Sequence, residues 1–206
     1  MRFWYWLGYT LSKIVARLFF RYRVIHAERI PKDGPMILAM NHQSFLDPPL
    51  AGIACDRAIF FLARKTLLGV PVLGWLLPRI NVVPVDRDGA DMSALKTIIR
   101  LIKSGQGTIL FPEGTRTQDG ALQKAQPGLG LVIAKTLAPV VPMRIFGAFE
   151  AFPRTEKLPR RHPITIVVGE PMVFSREELA AGGKEMYREL SERVMAQIAA
   201  LELPKA

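Results

Sequence analysis

His42 and Asp47 are the pair whose side chains best suit proton transfer, and they fall together in the stretch Asn41-His42-Gln43-Ser44-Phe45-Leu46-Asp47-Pro48-Pro49. An imidazole titrates near about pH 6.5, so at neutral pH it can take a proton from a hydroxyl and return it to a leaving group. A carboxylate beside it fixes the tautomer. That is two thirds of a Ser-His-Asp arrangement, and the missing hydroxyl need not come from the protein if the substrate is itself an alcohol.

Positioning the pair constrains the backbone. Five residues along a helix turn the side chain by roughly 140°, so one continuous helix cannot bring the two together. The apolar run Met36-Ile37-Leu38-Ala39-Met40 predicts a buried strand, and Ser44-Phe45-Leu46-Asp47 fits the capping box that opens a helix. His42 then precedes the cap. Asp47 lies in the first turn facing back to the strand end, and Pro48 and Pro49 occupy positions where helix N–H groups lack partners anyway. Taken alone, the spacing equally fits a capped helix beside a loop histidine.

A second stretch, Phe111-Pro112-Glu113-Gly114-Thr115-Arg116, follows the apolar run Thr108-Ile109-Leu110. With the first, in this order and at this separation, it resembles the glycerolipid acyltransferases, in particular the bacterial-type 1-acyl-glycerol-3-phosphate acyltransferases. The likeness covers about Val24 to Pro171, with Val82-Val83-Pro84-Val85-Asp86-Arg87 and Val140-Val141-Pro142-Met143 resembling two further family blocks. It implies catalysis by His42 and Asp47, and acceptor binding by Arg87, Glu113, Gly114, Thr115 and Arg116. Arg87 and Arg116 would hold a phosphate, because a guanidinium matches phosphate oxygens in pairs; either can equally be structural. Glu113 would position the acceptor through its hydroxyl or by anchoring an arginine, and Gly114 and Thr115 would offer backbone N–H groups. The implied reaction moves an acyl group from acyl-CoA or acyl-carrier protein to a lysophospholipid hydroxyl, with no cofactor and no metal. One departure is Gln126-Pro127-Gly128, where the family usually carries a lysine two residues before the glycine; Lys124 is the nearby candidate for that charge. The departure keeps other acceptors open, such as a lyso-ornithine lipid.

The remaining chain supplies the scaffold. The 206 residues, half of them apolar, suffice for one domain with a sizeable core, and the formal net charge of +10 suits anionic partners. The single cysteine, Cys55, excludes an internal disulfide and fits a reducing compartment. Only His26, His42 and His162 are present, too scattered for a local metal cluster. Residues 3–20 are rich in aromatics but carry Ser12, Lys13 and Arg17, so they predict an amphipathic helix lying in a membrane interface, with a single spanning helix as the alternative. A small-residue cleavage site of the secretory type is lacking. The expected division is a membrane-associating helix over 1–21 and an acyltransferase domain over 22–206, placed at the cytoplasmic face of the inner membrane. A chain starting near Tyr22 is expected to stay folded.

Further strands are predicted over 22–27, 58–63, 80–85, 139–145 and 164–168, and helices over 128–136 and 184–201. An amphipathic helix carries Met92, Leu95, Ile98, Ile99 and Ile102 on one stripe, and Pro71 breaks the apolar segment 67–77. Alternation of strand and helix gives an α/β fold, a single domain whose largely parallel mixed sheet is flanked by helices. Ligands of such sheets lie outside the strands' carboxyl ends, where His42, Arg87 and Glu113 all fall. The basic run Arg154, Lys157, Arg160 and Arg161 reads as a solvated loop that could face lipid phosphates. A non-catalytic basic protein of membrane surfaces or nucleic acid would explain the charge, but no nucleic-acid-binding motif interleaves aromatics with the basic residues.

Overall fold

Why the middle of the chain folds as it does is clearest in the strand Met36–Met40 (β2), where every residue is buried. Met36, Leu38 and Met40 join one apolar cluster while Ile37 and Ala39 join another, as the two-residue period of a strand requires. Both faces are covered, which is why this strand is continuously apolar rather than alternating. The computed structural model describes residues 3–85, 92–179 and 182–204. Arg87 and the turn expected at its position lie outside the described residues.

In chain order the elements are α1 (Phe3–Phe20), β1 (Arg23–Ile25), β2, α2 (Asp47–Ala54), β3 (Ile59–Arg64), α3 (Pro71–Leu76), β4 (Val82–Val85), α4 (Met92–Lys103) and β5 (Gly107–Leu110). Then come α5 (Gly128–Thr136), β6 (Val140–Phe146), α6 (Ala148–Ala151), β7 (Thr165–Val168) and α7 (Gly183–Ala200). The strands form one seven-stranded sheet in the order β1-β7-β6-β2-β5-β3-β4. All neighbours run parallel except β6 and β7. Side chains of α1 and α2 cover one face, and those of α4, α5 and α7 the other. From β2 the chain passes over the first face toward β3, and from β5 over the second toward β6. The carboxyl end of β2 is therefore the point where the sheet's winding reverses, which leaves a crevice.

Asn41 extends the sheet by one residue through its side chain. Its Oδ1 accepts from Ile145 N–H at 2.8 Å and its Nδ2 donates to the Ile145 carbonyl at 3.2 Å. The β2 end is thereby clipped to β6 immediately before His42.

Two expectations need correction. Met92, placed on the buried stripe of α4, is half exposed; the stripe proper is Ala94, Ile98 and Ile102, with Leu95 and Ile99 packed beside it. The second concerns α1, which is part of the fold rather than an appendage. Tyr5, Ala16 and Phe20 are buried, and the Tyr5 hydroxyl accepts from Ile59 N–H at 3.1 Å. Burial pushes the Tyr5 phenol up to about 12. At the far end the Phe20 carbonyl accepts from Ile164 N–H at 2.9 Å. A chain starting near Tyr22 would lose these buried groups and leave the Ile59 N–H without a partner, so it cannot be expected to stay intact.

On the opposite face α5 and α7 touch at Gly130. A Cβ there would stand 1.9 Å from the Tyr187 carbonyl oxygen, and the Gly130 N–H donates to Ser191 Oγ at 2.8 Å. Gly130→Ala gains up to about 1 kcal/mol of helix propensity. It must also force two helices apart, at about 2–3 kcal/mol. The net expectation is a lower denaturation midpoint in urea with an unchanged slope, and an unchanged midpoint would show that the helices separate freely.

Candidate active site

The loop from β2 to α2 wraps around one carboxylate oxygen. Asp47 Oδ2 accepts from Gln43 N–H at 2.6 Å, from Ser44 N–H at 2.7 Å and lies 2.7 Å from His42 Nδ1. The reach back to Ser44 N–H is half of the capping box read in the sequence, and Pro48 and Pro49 sit in the first turn as expected. The Ser44 hydroxyl departs from that motif: it accepts from Leu46 N–H and donates to the Phe152 carbonyl at 2.7 Å. Asp47 is fully buried, whereas the His42 side chain is 17% exposed. With Asp47 as acceptor, Nδ1 carries the proton and Nε2 presents its lone pair away from the carboxylate. The imidazole stacks on Phe111, ring centroids 3.9 Å apart and planes 15° from parallel. It is thus held on its edge and on its face.

The second motif grips the same histidine by its backbone. Glu113 Oε1 accepts from His42 N–H at 3.0 Å, and Thr117 N–H donates to the His42 carbonyl at 2.9 Å. Glu113 Oε2 accepts from Gln123 Nε2 at 3.0 Å, and that amide also donates to the Thr115 carbonyl at 3.1 Å. Glu113 is only 3% exposed, and its burial pushes the carboxyl above the usual range against the pull of the His42 and Gln123 hydrogen bonds. Among the described residues its hydrogen bonds go to His42 and Gln123, and Arg87, one of the arginines it was expected to anchor, lies outside them. Gly114 N–H donates to the Phe111 carbonyl at 3.0 Å and closes a turn with Pro112 at its second position. The backbone there has φ +70°, which suits glycine. That N–H is occupied within the turn rather than offered to a ligand.

Arg116 packs its guanidinium over the Phe45 ring, 3.4 Å from the centroid. Its Nη1 is buried without a hydrogen-bond partner. Burial, then the nearby Arg154 and Arg64, hold its pKa below the ordinary range, and Asp47 acts in the opposite sense. It stays cationic at neutral pH. A desolvated cation with a free donor and like-charged neighbours is an arrangement that an anion would complete.

The fold brings His42, Asp47, Glu113 and Arg116 together with Gly114 and Thr115, as expected from the two motifs. Phe45, Phe111, Gln123 and Arg64 also stand at the site, with no role expected for them. Arg64 ends β3 at the same carboxyl edge that singled out Arg87, so that criterion would have found it; the ring and amide supports have no local signal. Lys124, considered as a charge for the headgroup, lines a hollow against α7 with Glu192, Met195 and Ala196. Gln126 lies beneath the second motif, its N–H donating to the Pro112 carbonyl at 2.7 Å.

A family model described as Acyltransferase matches residues 21–146. The 1-acyl-sn-glycerol-3-phosphate acyltransferase of Bacillus subtilis is 28% identical over 87% of this chain and 92% of its own. The chloroplastic 1-acyl-sn-glycerol-3-phosphate acyltransferase BAT2 of Brassica napus is 28% identical over 86% of this chain. The chain spans about half the length of that plant relative, 53%. Among solved structures, the 1-acyl-sn-glycerophosphate (LPA) acyltransferase PlsC from Thermotoga maritima superimposes with a TM-score of 0.74 at 27% identity, covering 96% of this chain and 80% of its own.

Proposed function

The chain belongs to the Acyltransferase family, and on that premise we propose that it moves an acyl group from acyl-CoA or acyl-carrier protein to the free hydroxyl of 1-acyl-glycerol-3-phosphate, giving phosphatidic acid. The observation that carries this reading is the pairing of His42 Nδ1 with buried Asp47, which frees Nε2 as a base, beside an Arg116 whose buried Nη1 lacks a partner. The names of the relatives supply the acceptor.

In this mechanism Nε2 takes the proton of the acceptor hydroxyl as its oxygen attacks the thioester carbonyl carbon. The tetrahedral intermediate collapses with cleavage of the C–S bond, and the imidazolium returns the proton to the departing thiolate. No acyl-enzyme forms. Asp47 stabilises the transient imidazolium and keeps the tautomer. Glu113 and Gln123 hold the His42 backbone, and Arg116 binds the acceptor phosphate.

The test is transfer by the purified protein to lysophosphatidate, a lyso-ornithine lipid and monoacylglycerol; failure to acylate lysophosphatidate would refute the reading. Arg116→Ala should raise the lysophosphatidate KM about tenfold to a hundredfold, the worth of a charge-assisted hydrogen bond at about 1.5–3 kcal/mol. The donor KM should hold. Equal damage with monoacylglycerol would remove Arg116 from the phosphate.

We propose further that the protein works on an anionic membrane surface. Among the described residues no helix is long and apolar enough to cross a membrane. Yet α1 exposes Phe3, Trp6, Leu11, Ile14, Val15 and Leu18, and Trp4 meets Trp75 of α3 edge to face at 4.7 Å. An apolar stripe joined to a second apolar segment, and flanked by exposed Arg17 and Arg21, suits a headgroup boundary. Of the aromatics expected there, Trp4, Tyr5, Trp6, Phe19 and Phe20, both Tyr5 and Phe20 are buried in the core instead. Trp6→Ser with Leu18→Ser should leave the melting temperature in place and lower co-sedimentation with anionic vesicles several-fold. Undiminished sedimentation would move the contact elsewhere.

A further inference from the structure

The loop that follows α6, Pro153-Arg154-Thr155-Glu156-Lys157-Leu158-Pro159-Arg160-Arg161, carries four basic residues against one acidic and a single leucine. At 76% that leucine, Leu158, is the most exposed large apolar side chain among the described residues. Lys157 beside it is also exposed and has no ion-pair partner among them. The loop is nonetheless held in shape. Glu156 N–H donates to the Pro153 carbonyl at 3.2 Å, Arg160 N–H donates to the Ala151 carbonyl at 2.7 Å, and the Arg160 side chain pairs with Glu156 at 2.6 Å. Pro153 and Pro159 fix two φ angles more. Leu158 is thus presented to solvent by a braced loop with no freedom to fold it inward. Both ends of the loop are fastened. Before it, the Phe152 carbonyl accepts from Ser44 Oγ at 2.7 Å, and the Phe152 ring meets Phe45 at 5.6 Å between centroids. At its close, Arg161 donates to the Leu18 carbonyl at 3.4 Å and lies over the Phe19 ring at 5.8 Å, and Ile164 N–H donates to the Phe20 carbonyl at 2.9 Å. The loop therefore spans from the catalytic loop to the end of α1, where Leu18 and Phe19 are exposed.

We infer that this loop is a second membrane contact, in which Leu158 enters the headgroup boundary of an anionic bilayer while Lys157 and its basic neighbours meet the lipid phosphates. The inference rests on the proposed reading of α1 as a membrane-surface helix and extends the contact to the other end of that helix. A lone exposed leucine says little. One set among cations, on a loop whose Arg161 joins it to the exposed Leu18 and Phe19, offers both parts that a lipid surface stabilises, apolar burial and positive charge. The consequence is orientation. At about 1.5 Å per residue α1 is roughly 27 Å long, and its contact through Trp4 and Trp75 lies at the opposite end. One contact would let the protein pivot, whereas two at the ends of α1 hold it along the surface. Because Phe152 ties the loop to Ser44 and Phe45, the crevice that holds His42 opens beside the second contact. An acceptor lipid then reaches the base at the bilayer surface instead of crossing bulk water.

The test attaches an environment-sensitive fluorophore to Leu158→Cys in the full chain; Cys55 is fully buried and stays unlabelled. Phosphatidylcholine–phosphatidylglycerol vesicles should shift its emission to the blue and shield it from an aqueous quencher, while a label on Gln197→Cys, exposed on α7 across the sheet, stays unchanged. In a second arm, unlabelled Lys157→Glu with Leu158→Ser should bind those vesicles about tenfold more weakly. The loss should be smaller on phosphatidylcholine alone, and the melting temperature and activity on a short-chain, water-soluble acceptor should hold. A Leu158 label that stays wet while the protein sediments with vesicles overturns the proposal, as does vesicle binding undiminished in the double variant. A loss equally large on neutral vesicles overturns it too, by removing the anionic headgroup from the contact, and a loss of short-chain activity does so by marking a structural role. Wild-type protein that sediments with neither vesicle would refute the membrane reading itself, and this proposal with it.

Discussion

Replacing His42 by alanine is expected to lower turnover by about 10²–10⁴-fold while the protein stays folded. The magnitude is that of removing a general base from a bound hydroxyl. The fold should survive because His42 contributes little to packing: its ring is partly exposed, and its main contact is the stack on Phe111, worth about 0.5–1.5 kcal/mol. Its structural hydrogen bonds, from its N–H to Glu113 and from Thr117 N–H to its carbonyl, belong to the backbone and are kept by alanine. The loss should therefore appear in kcat, with KM for both substrates nearly unchanged and a melting temperature within a few degrees. Folded His42→Ala protein with wild-type turnover would dispose of the catalytic assignment.

What could be read from the chain follows the range of the interactions involved. The helix Gly128–Thr136 and the buried strand Met36–Met40 were visible because local apolar pattern and flanking glycines and prolines set them. Strand β1 is shorter than the 22–27 expected, since it pairs only with β7 and ends where His26 turns into the left-handed region at φ 60°. The antiparallel step between β6 and β7 was not legible. The connection between them carries only the four-residue α6 and otherwise irregular chain, which returns beside β6 in the opposite direction.

The site shows the same division. His42 and Asp47 lie five residues apart, so turn chemistry alone could bring them together. Glu113 reaches His42 across 71 residues of sequence, and only the strand order, with β5 beside β2, makes that hydrogen bond possible. The direction of its bond, into the backbone, had no sequence signal at all. Nor did the burial of Tyr5 among exposed neighbours. An aromatic belt declares its affinity for an interface but not which ring turns inward.

Asp47→Asn should be nearly as damaging as loss of His42, at about 10³–10⁴-fold in kcat, because the amide cannot satisfy its surroundings in either orientation. Three N–H groups converge on Oδ2, those of Gln43, Ser44 and the His42 ring, whereas Oδ1 is buried with no partner. If the asparagine oxygen takes the Oδ2 position, its NH₂ enters a place where no acceptor stands, and two buried donors go unsatisfied at about 1–3 kcal/mol each. If the amide flips, the NH₂ faces the Gln43 and Ser44 N–H groups, and the ring must turn its unprotonated nitrogen toward it. Nε2 then carries the proton and cannot act as a base. Both orientations also remove the negative charge that stabilises the imidazolium. The signature separating this from simple unfolding is that Asp47→Asn loses kcat while lysophosphatidate and donor KM change little, with a fall in melting temperature of several degrees. Asp47→Glu keeps the charge but displaces the acceptor oxygen, and should fall between wild type and asparagine. If Asp47→Asn kept turnover within a few-fold of wild type, Asp47 would be a helix cap and no more.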